Sequence, residues 1–327
     1  MQRVDLVVSA KWIVPVVPRD TVLEDHSLVV DKGIIVHIGP TVAVLARFAP
    51  DEHSDVRDGN HALIPGFVNA HTHSPMTLLR GFVDNVALEE WLQKHIWPAE
   101  GQFVNEEYIR DGTELAVAEM VRSGVTTFVD MYFFPAVTAE VVDRMGVRAG
   151  ISVPVLQFPT PWSQGETDAI AKGTHELLDR FANHARIQPF LAPHAPYTVS
   201  DDGFRAVVAL AKERNLRITT HLHETNFEVT SPAERPMARL AKLGVLSPKT
   251  LLAHMVHLTP EEIREAAALG VHAVHCPSSN LKLASGLCPV SELLAAGVNV
   301  CLGTDGAASN DDLDMLSEMK AAAFVSK

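Results

Sequence analysis

From about residue 63 onward, apolar strand-like segments alternate with helical segments along the rest of the 327-residue chain. The strand-like segments are almost continuously apolar, which is typical of parallel strands that are covered by helices on both faces. Repeated units of this kind predict an α/β fold. No glycine-rich phosphate loop opens a helix after the first of these strands, which disfavours an open doubly wound sheet. We therefore predict a (β/α)8 TIM barrel over residues 63–327.

Several helix starts in this region can be recognised from capping residues. Asn105, Ser200 and Thr259 each stand directly before a helical pattern, and each carries a side chain that can accept a hydrogen bond from the first turn. Glu262 lies three residues after Thr259 and completes a capping box. Residues 231–232, a serine and a proline, predict a further helix start.

Residues 1–62 have a different pattern and are predicted to form a small β domain. The segments VDLVVS, WIVPVV, SLVVD and GIIVHIG are apolar and short, as expected for strands. Residues 31–33 supply a turn between the last two segments.

Composition restricts the classes of partner. The formal net charge is −13 and the isoelectric point is near 5.6, so nucleic acid and anionic membrane surfaces are disfavoured and a small-molecule partner is favoured. The three cysteines, Cys276, Cys288 and Cys301, have no paired spacing. The sequence contains neither a signal-peptide pattern nor a stretch of ~18 uncharged apolar residues, which predicts a cytoplasmic enzyme. It does not predict the oligomeric state, and a homo-oligomer is possible.

Ionisable residues stand at the end of nearly every strand of the predicted barrel. A barrel gathers the carboxyl ends of its strands into one ring, which is where barrel enzymes carry their chemistry. The residues concerned are His71, His73, Asp130, His194, His221, Glu224, His254, His275 and Asp305.

The pair His71 and His73 is the start of a candidate metal site. Residues two apart in a strand point to the same side, so both imidazoles face one way and Thr72 faces the other. An HxH pair alone is a weak signal, but later strands offer further ligands at the same rim. Three histidines and one carboxylate suit Zn²⁺ or a similar ion and leave a position for water. Spacing alone does not decide between His221 and His223 as the third histidine.

Six segments in a fixed order resemble one enzyme family. They are PGFVNAHTHSPMTLLRG, APHAPYTVS, HLHET, AHMVHL, HCPSSNLKLASG and LGTDGAASN. Together they resemble the amidohydrolase superfamily and, within it, the deaminases of 5′-methylthioadenosine and S-adenosylhomocysteine. The resemblance runs from about residue 5 to the last residue.

The resemblance implies roles for particular residues. It implies that the metal ligands are His71, His73, His221 and Asp305. It further implies that Glu224 is the proton shuttle and that His254 lies beside the attacking water, with Asp305 taking part in catalysis as well as in metal binding. It implies that Trp91, Glu100, His194 and Glu224 contact the nucleoside, with Glu100 accepting hydrogen bonds from the ribose hydroxyls.

The expected reaction is hydrolytic deamination of an adenine nucleoside at C6 by a metal-bound hydroxide. The segment ISVPVLQF is apolar where an arginine would be expected for the amino-acid end of S-adenosylhomocysteine. This favours 5′-methylthioadenosine, converted to 5′-methylthioinosine and ammonia, with S-adenosylhomocysteine or adenosine as further substrates. The resemblance implies one Zn²⁺, with Fe²⁺ or another divalent ion as alternatives, because superfamily members with two ions bridge them through a modified lysine at the end of the fourth strand and RIQPFLAPHAPY has no lysine there.

Alternatives remain at the level of function. The same fold could hydrolyse another ring substrate, such as guanine, 8-oxoguanine, cytosine or a triazine, or it could be a non-catalytic truncated hydrolase scaffold. Family members are expected to return to the β domain after the barrel, so the resemblance implies that this sequence contains only the N-terminal half of a small β-sandwich.

Alternatives also remain for single residues. Trp91 could be a helix-packing aromatic, and Glu100 could be a solvated surface carboxylate. Asp130 is expected to be a hydrogen-bond anchor and His257 a structural or supporting residue, while His275 is either a partner of a site residue or a core histidine.

Overall fold

The computed structural model describes residues 1–230 and 233–326. The chain divides into two compact units, Met1–Gly66 and Phe67–Lys327. The domain boundary predicted between residues 62 and 63 lies shortly before this division. The helix start predicted at residues 231–232 lies outside the described residues.

The first unit is built on a single five-stranded sheet. The strand order is β3-β2-β1-β4, and β5 pairs with the far end of β1. Strand β1 is antiparallel to β2 and parallel to β4. The elements are β1 (Gln2–Ile13), β2 (Leu23–Asp31), β3 (Ile34–Pro40), α1 (Thr41–Arg47), β4 (Phe48–Asp55) and β5 (Ala62–Leu63).

Two predictions for this unit need correction. The segments VDLVVS and WIVPVV do not form two strands, because residues 2–13 make one strand that pairs continuously with β2 as far as Ile13. Pro15 has no backbone N–H to continue such a ladder. Strand β4 was not predicted, because Pro50 and several charged residues hide its pattern and its place is set by parallel pairing to β1.

The second unit is a barrel of eight parallel strands, as predicted. The strands follow one another around the sheet in chain order from β6 to β13. The first and last are joined where the Asp305 N–H donates to the His71 carbonyl at 3.0 Å. The strands are β6 (Phe67–Thr72), β7 (Val125–Met131), β8 (Arg148–Val155), β9 (Ile187–Pro193), β10 (Arg217–Leu222), β11 (Thr250–His254), β12 (His272–His275) and β13 (Asn299–Leu302).

Helices separate the strands and cover the barrel. The α-helices are α2 (Leu88–Glu90), α3 (Trp97–Phe103), α4 (Glu106–Arg122), α5 (Pro135–Met145), α6 (Glu166–Gly173), α7 (Asp179–Phe181), α8 (Asp201–Arg214), α9 (Asn226–Thr230), α10 (Pro236–Lys242), α11 (Pro260–Leu269), α12 (Pro277–Lys282), α13 (Val290–Ala295), α14 (Ala307–Asn310) and α15 (Met315–Val325). A 3₁₀ helix covers Ser74–Leu79, and π-helical turns cover Trp91–Ile96 and Thr174–Leu178. Within the described part of the chain, every helix is too short or too polar to cross a bilayer.

The predicted capping residues are confirmed. The Asn105 side chain accepts from the Tyr108 N–H at 3.0 Å, and Ser200 caps α8 in the same way. Thr259 and Glu262 form the complete capping box at the start of α11. These caps satisfy backbone donors that the helix itself leaves unpaired, and so they fix where each helix begins.

Gly112 allows α4 to lie very close to the 3₁₀ helix that follows His73. A Cβ atom at Gly112 would lie 2.5 Å from the Pro75 carbonyl oxygen, and the Gly112 carbonyl itself accepts from the Thr77 hydroxyl at 2.8 Å. The contact is with backbone on both sides, so it cannot be relieved by a rotamer change.

We expect Gly112→Ala to lower the free energy of unfolding by about 1–3 kcal/mol, the usual result of overpacking. Urea unfolding followed by circular dichroism measures the change. Gly101→Ala is the matched control, because nothing lies within 4 Å of a Cβ there and Gly101 is also in a helix. Equal stability of the two variants would contradict the close approach.

Candidate active site

The end of β6 places His71 and His73 on one side of the strand, as their spacing predicts. Thr72 points the other way, and its hydroxyl donates to Asp130 Oδ1 at 2.9 Å. Asp130 also accepts from the Ser74 N–H at 2.6 Å. Asp130 is therefore a hydrogen-bond anchor that fixes the chain on both sides of His73.

The four predicted metal ligands converge on one point. His221 Nε2 lies 3.2 Å from His71 Nε2 and 3.3 Å from His73 Nε2. Asp305 Oδ1 lies 3.2 Å from His73 Nε2 and 3.5 Å from His71 Nε2. The side chains come from β6, from β10 and from the turn after β13, so the closed barrel is what brings them together.

These distances fit a divalent cation. In a tetrahedral site with bonds of about 2.0–2.1 Å, neighbouring ligand atoms lie about 3.3 Å apart. The outer nitrogens of two histidines are held by carbonyl groups: His221 Nδ1 by His194 O at 2.7 Å and His73 Nδ1 by Met131 O at 2.5 Å. Each Nε2 lone pair is thereby directed inward. When the imidazoles are neutral, these inward lone pairs and the carboxylate oxygen repel one another, and a cation between them removes the repulsion.

The charge states of the ligands are consistent with this arrangement. Burial lowers the pKa of His71 to about 4 and that of His221 well below its usual value, which favours the neutral imidazole that binds metals. Burial also lowers the pKa of His73, but its hydrogen bond and attraction to Asp305 outweigh burial and raise that pKa to about 9. A metal ion bound by this pair would take the place of that proton.

His223 does not join the cluster. Its Nε2 accepts from the Met237 N–H at 3.2 Å, and its Nδ1 lies 3.7 Å from Glu262. His223 adopts a left-handed backbone conformation, with φ of 55°, which turns its ring away from the side on which His221 lies. Of the two histidines that spacing left open, the structure brings His221 to the other ligands.

Glu224 and His254 lie beside the cluster. Glu224 Oε2 is 3.7 Å from His254 Nε2, which in turn is 3.9 Å from Asp305 Oδ2. Burial raises the pKa of the Glu224 carboxyl, so this group can carry a proton at a pH where an exposed glutamate has lost it. Its backbone N–H donates to Glu228 Oε2 at 2.8 Å, which fixes the start of the following turn.

The cluster forms the floor of a largely apolar pocket. Glu100, His194, Glu224 and Trp91 all line it together with three of the predicted ligands, His73, His221 and Asp305, and the described residues that line it include no lysine and no arginine. Its apolar wall consists of Met76, Leu88, Leu92, Ile96, Trp97, Met131, Phe133, Pro154, Leu156 and Leu283.

Glu100 is not the solvated surface carboxylate that its sequence context allowed. Its exposed fraction is 6%, and Oε1 accepts from the Tyr132 hydroxyl at 2.7 Å. Burial raises the pKa of Glu100 to about 7 although the Tyr132 hydrogen bond opposes this shift. Trp91 is buried in a π-helical turn and both packs in the core and lines the pocket, so neither of its two predicted roles excludes the other.

The remaining histidines have separate surroundings. His194 lies at the end of β9, where its Nδ1 is 2.9 Å from the Thr198 hydroxyl and burial lowers its pKa to about 3. His257 Nε2 donates to the Ser285 carbonyl at 2.8 Å, as a structural residue would. His275 is buried, and among the described residues neither of its ring nitrogens has a hydrogen-bond partner.

Sequence reasoning missed four polar residues that touch the site. Tyr132 contacts Glu100, Asn280 contacts His254, and Ser279 and Ser309 contact Asp305. Ser279 and Asn280 lie inside the segment HCPSSNLKLASG, so their polarity next to a strand end was the available signal. Nothing in the spacing of Tyr132 indicated its partner.

Comparisons with known proteins show which family the chain is similar to. Residues 62–327 match the model of the amidohydrolase family. The chain is 46% identical over 327 residues to the 5-methylthioadenosine/S-adenosylhomocysteine deaminase of Saccharophagus degradans, covering 99% of this chain and 73% of that protein. It is 44% identical over 328 residues to the enzyme of the same name from Teredinibacter turnerae, covering 99% of this chain and 74% of the relative.

A solved structure is similar over the whole chain. An adenosine deaminase from Xanthomonas campestris, crystallised with bound zinc, superposes with a TM-score of 0.97 at 45% identity. The match covers 100% of this chain and 74% of that one. The chain thus spans about three quarters of the length of these relatives.

Proposed function

The chain belongs to the amidohydrolase family, and within it to the 5-methylthioadenosine/S-adenosylhomocysteine deaminases, and from this premise we propose that it hydrolyses the C6 amino group of an adenine nucleoside. The observation that carries the proposal is the convergence of three imidazole nitrogens and Asp305 beside the buried Glu224. The preferred substrate is 5′-methylthioadenosine, and the products are 5′-methylthioinosine and ammonia.

The divalent metal of the family is proposed to be one Zn²⁺, held by His71, His73, His221 and Asp305. Zinc suits a set of three imidazoles and one carboxylate, and the zinc in the similar Xanthomonas structure supports this choice. A second ion is not expected, because His194 rather than a lysine follows β9. When bound, the cation supplies the Lewis acidity that makes hydroxide available at neutral pH.

The protein groups around the cluster then move the protons. Glu224, whose pKa is raised, donates a proton to purine N1 as electrons are pushed toward it from C6. His254 stabilises the oxygen that develops negative charge on C6. Asp305 accepts the remaining proton of the attacking water, and ammonia leaves when the C6–N bond breaks.

Substrate recognition is assigned to the pocket wall. Glu100 accepts hydrogen bonds from ribose hydroxyls, and Tyr132 holds its other oxygen in place. Trp91 packs against the nucleoside, and His194 borders the purine. The preference for a methylthio tail rests on the apolar side chains of Phe133, Leu156 and their neighbours and on the absence of lysine and arginine from the described pocket residues.

The test is a substrate panel. The zinc-loaded protein is mixed with 5′-methylthioadenosine, S-adenosylhomocysteine, adenosine and guanine, and ammonia release is followed. We expect the highest kcat/KM for the methylthio nucleoside, because the charged amino-acid end of S-adenosylhomocysteine would be desolvated without a cationic partner.

Two results of this panel would contradict the proposal in different ways. A higher kcat/KM for S-adenosylhomocysteine would overturn the tail preference and leave the deaminase assignment intact. Release from guanine alone, or from none of the four with metal bound, would overturn the nucleoside assignment, in the last case in favour of a non-catalytic scaffold.

A further inference from the structure

Helix α12 directs two adjacent polar side chains toward the site. Ser279 Oγ donates to Asp305 Oδ2 at 2.7 Å, and Asn280 Oδ1 lies 2.9 Å from His254 Nδ1. Both side chains are buried, at 0% and 1% exposure, so water does not compete for these bonds. Neither residue lines the pocket, so neither can touch the substrate directly.

We propose that Ser279 and Asn280 are positioning residues for the deamination, a clamp that holds Asp305 and His254 in their working orientations. An amide oxygen can only accept, so Asn280 selects the His254 tautomer with the proton on Nδ1. That tautomer leaves Nε2, which lies 3.7 Å from Glu224 Oε2 and 3.9 Å from Asp305 Oδ2, free to take up a proton, and the imidazolium so formed stabilises the oxygen that develops on C6. The inference rests on the proposed function for its kinetic part only.

The backbone around the two clamped residues explains why they need support. His254 and Asp305 both adopt left-handed conformations, with φ of 74° and 63°. Residues other than glycine adopt such conformations uncommonly, although aspartate and histidine do so more often than most, and surrounding contacts then help to hold them. Asn280 contacts His254 and Ser279 contacts Asp305, so helix α12 supplies such a hold for both residues.

The clamp itself is rigidly placed. The Asn280 N–H donates to the Cys276 carbonyl at 3.0 Å, and the Asn280 carbonyl accepts from the Ser285 N–H at 2.8 Å. These two backbone bonds hold the Asn280 side chain in the position from which it contacts His254. Asp305 Oδ2 is supported twice, because the Ser309 hydroxyl also donates to it at 3.2 Å. We therefore expect the loss of Asn280 to matter more than the loss of Ser279.

The kinetic test uses Asn280→Leu and Asn280→Asp. Leucine keeps the branched shape and the number of side-chain heavy atoms and removes the acceptor, and aspartate restores an acceptor oxygen. We expect Asn280→Leu to lower kcat about 10–100-fold, the range typical of residues that orient a site group, with KM and zinc content little changed. Asn280→Asp should recover most of kcat. An unchanged kcat in Asn280→Leu would overturn the proposal.

Ser279→Ala and Ser285→Ala form a matched pair on the same stretch of chain. The Ser285 hydroxyl is buried and has no partner among the described residues, so its removal controls for the loss of a buried hydroxyl as such. We expect a several-fold loss of kcat in Ser279→Ala only. Equal effects of the two changes would remove Ser279 from the clamp.

A spectroscopic readout stands apart from activity. In the zinc-loaded protein with ¹⁵N-labelled histidine, the His254 signals are identified by their loss in His254→Gln. We expect a protonated Nδ1 and an unprotonated Nε2. A proton on Nε2 would mean that Asn280 presents its amide nitrogen instead, and would overturn the tautomer selection even if Asn280→Leu failed to fold.

This measurement also separates the clamp from the proposed function. If the substrate panel gave no deamination and His254 still carried its proton on Nδ1, the proposed function would fail while the clamp geometry stood. If deamination occurred and the proton lay on Nε2, the proposed function would stand and the tautomer selection by Asn280 would fail.

Discussion

Glu224→Gln is expected to lower turnover of the nucleoside by about 10²–10⁴-fold while leaving the zinc content unchanged. The amide has the size of the carboxyl group but cannot deliver a proton to purine N1. Glu224 does not belong to the groups of converging ligand atoms, and its Oε2 lies 3.7 Å from His254 Nε2. Steady-state ammonia release and metal analysis on the same preparation measure both quantities.

Glu228→Gln is the matched control for this result. Glu228 is also a buried glutamate whose pKa burial raises, to about 7, and it lies four residues further along the chain. Its observed bond is acceptance from the Glu224 N–H, which an amide oxygen can also make. We expect most of the activity to remain. Turnover retained in Glu224→Gln would contradict the role of Glu224 as the proton donor.

The architecture of the second unit could be predicted because its signals are local. Apolar strands and capped helices can be recognised from short segments of sequence. Asn105, Ser200 and Thr259 mark helix starts because their side chains can accept a hydrogen bond from the first turn. The first unit was harder. Strand β4 depends on pairing with β1, a partner more than thirty residues away, and its own residues do not alternate in a recognisable way.

In the candidate site, too, some features could be predicted from short segments of sequence and others could not. His71 and His73 could be paired from strand geometry, and the family resemblance supplied His221, Glu224 and Asp305. The burial of Glu100 could not be predicted from a local window, because it results from packing against Tyr132, 32 residues away.

Two contacts between side chains that are distant in sequence could not be predicted either, because they depend on the closed barrel. Asn280 meets His254 and Ser279 meets Asp305 across 26 residues each, at bonds that only the closed barrel creates. The left-handed conformations of His254 and Asp305 have only a weak local signal, since histidine and aspartate adopt them more often than most residues but still rarely.

His221→Asn is expected to abolish metal binding, whereas His223→Asn should leave about one equivalent of zinc per chain. The two histidines stand two residues apart, and their spacing did not decide between them. His221 Nε2 lies 3.2–3.3 Å from two other ligand nitrogens. His223 Nε2 is instead bonded to a backbone N–H. Metal analysis after dialysis against a weak chelator measures the difference.

The size of the effect distinguishes a ligand from a supporting residue. Loss of a residue that only orients a site group typically costs 10–100-fold, so His221→Asn should lower kcat/KM by more than about 100-fold, and added zinc should not restore it. His223→Asn should mainly lower stability, because the Met237 N–H loses its acceptor in a buried place. Zinc retained in His221→Asn and lost in His223→Asn would reverse the assignment.

Two equivalents of zinc in the unaltered protein would contradict the single-metal site, because only His71, His73, His221 and Asp305 are assigned to hold an ion there.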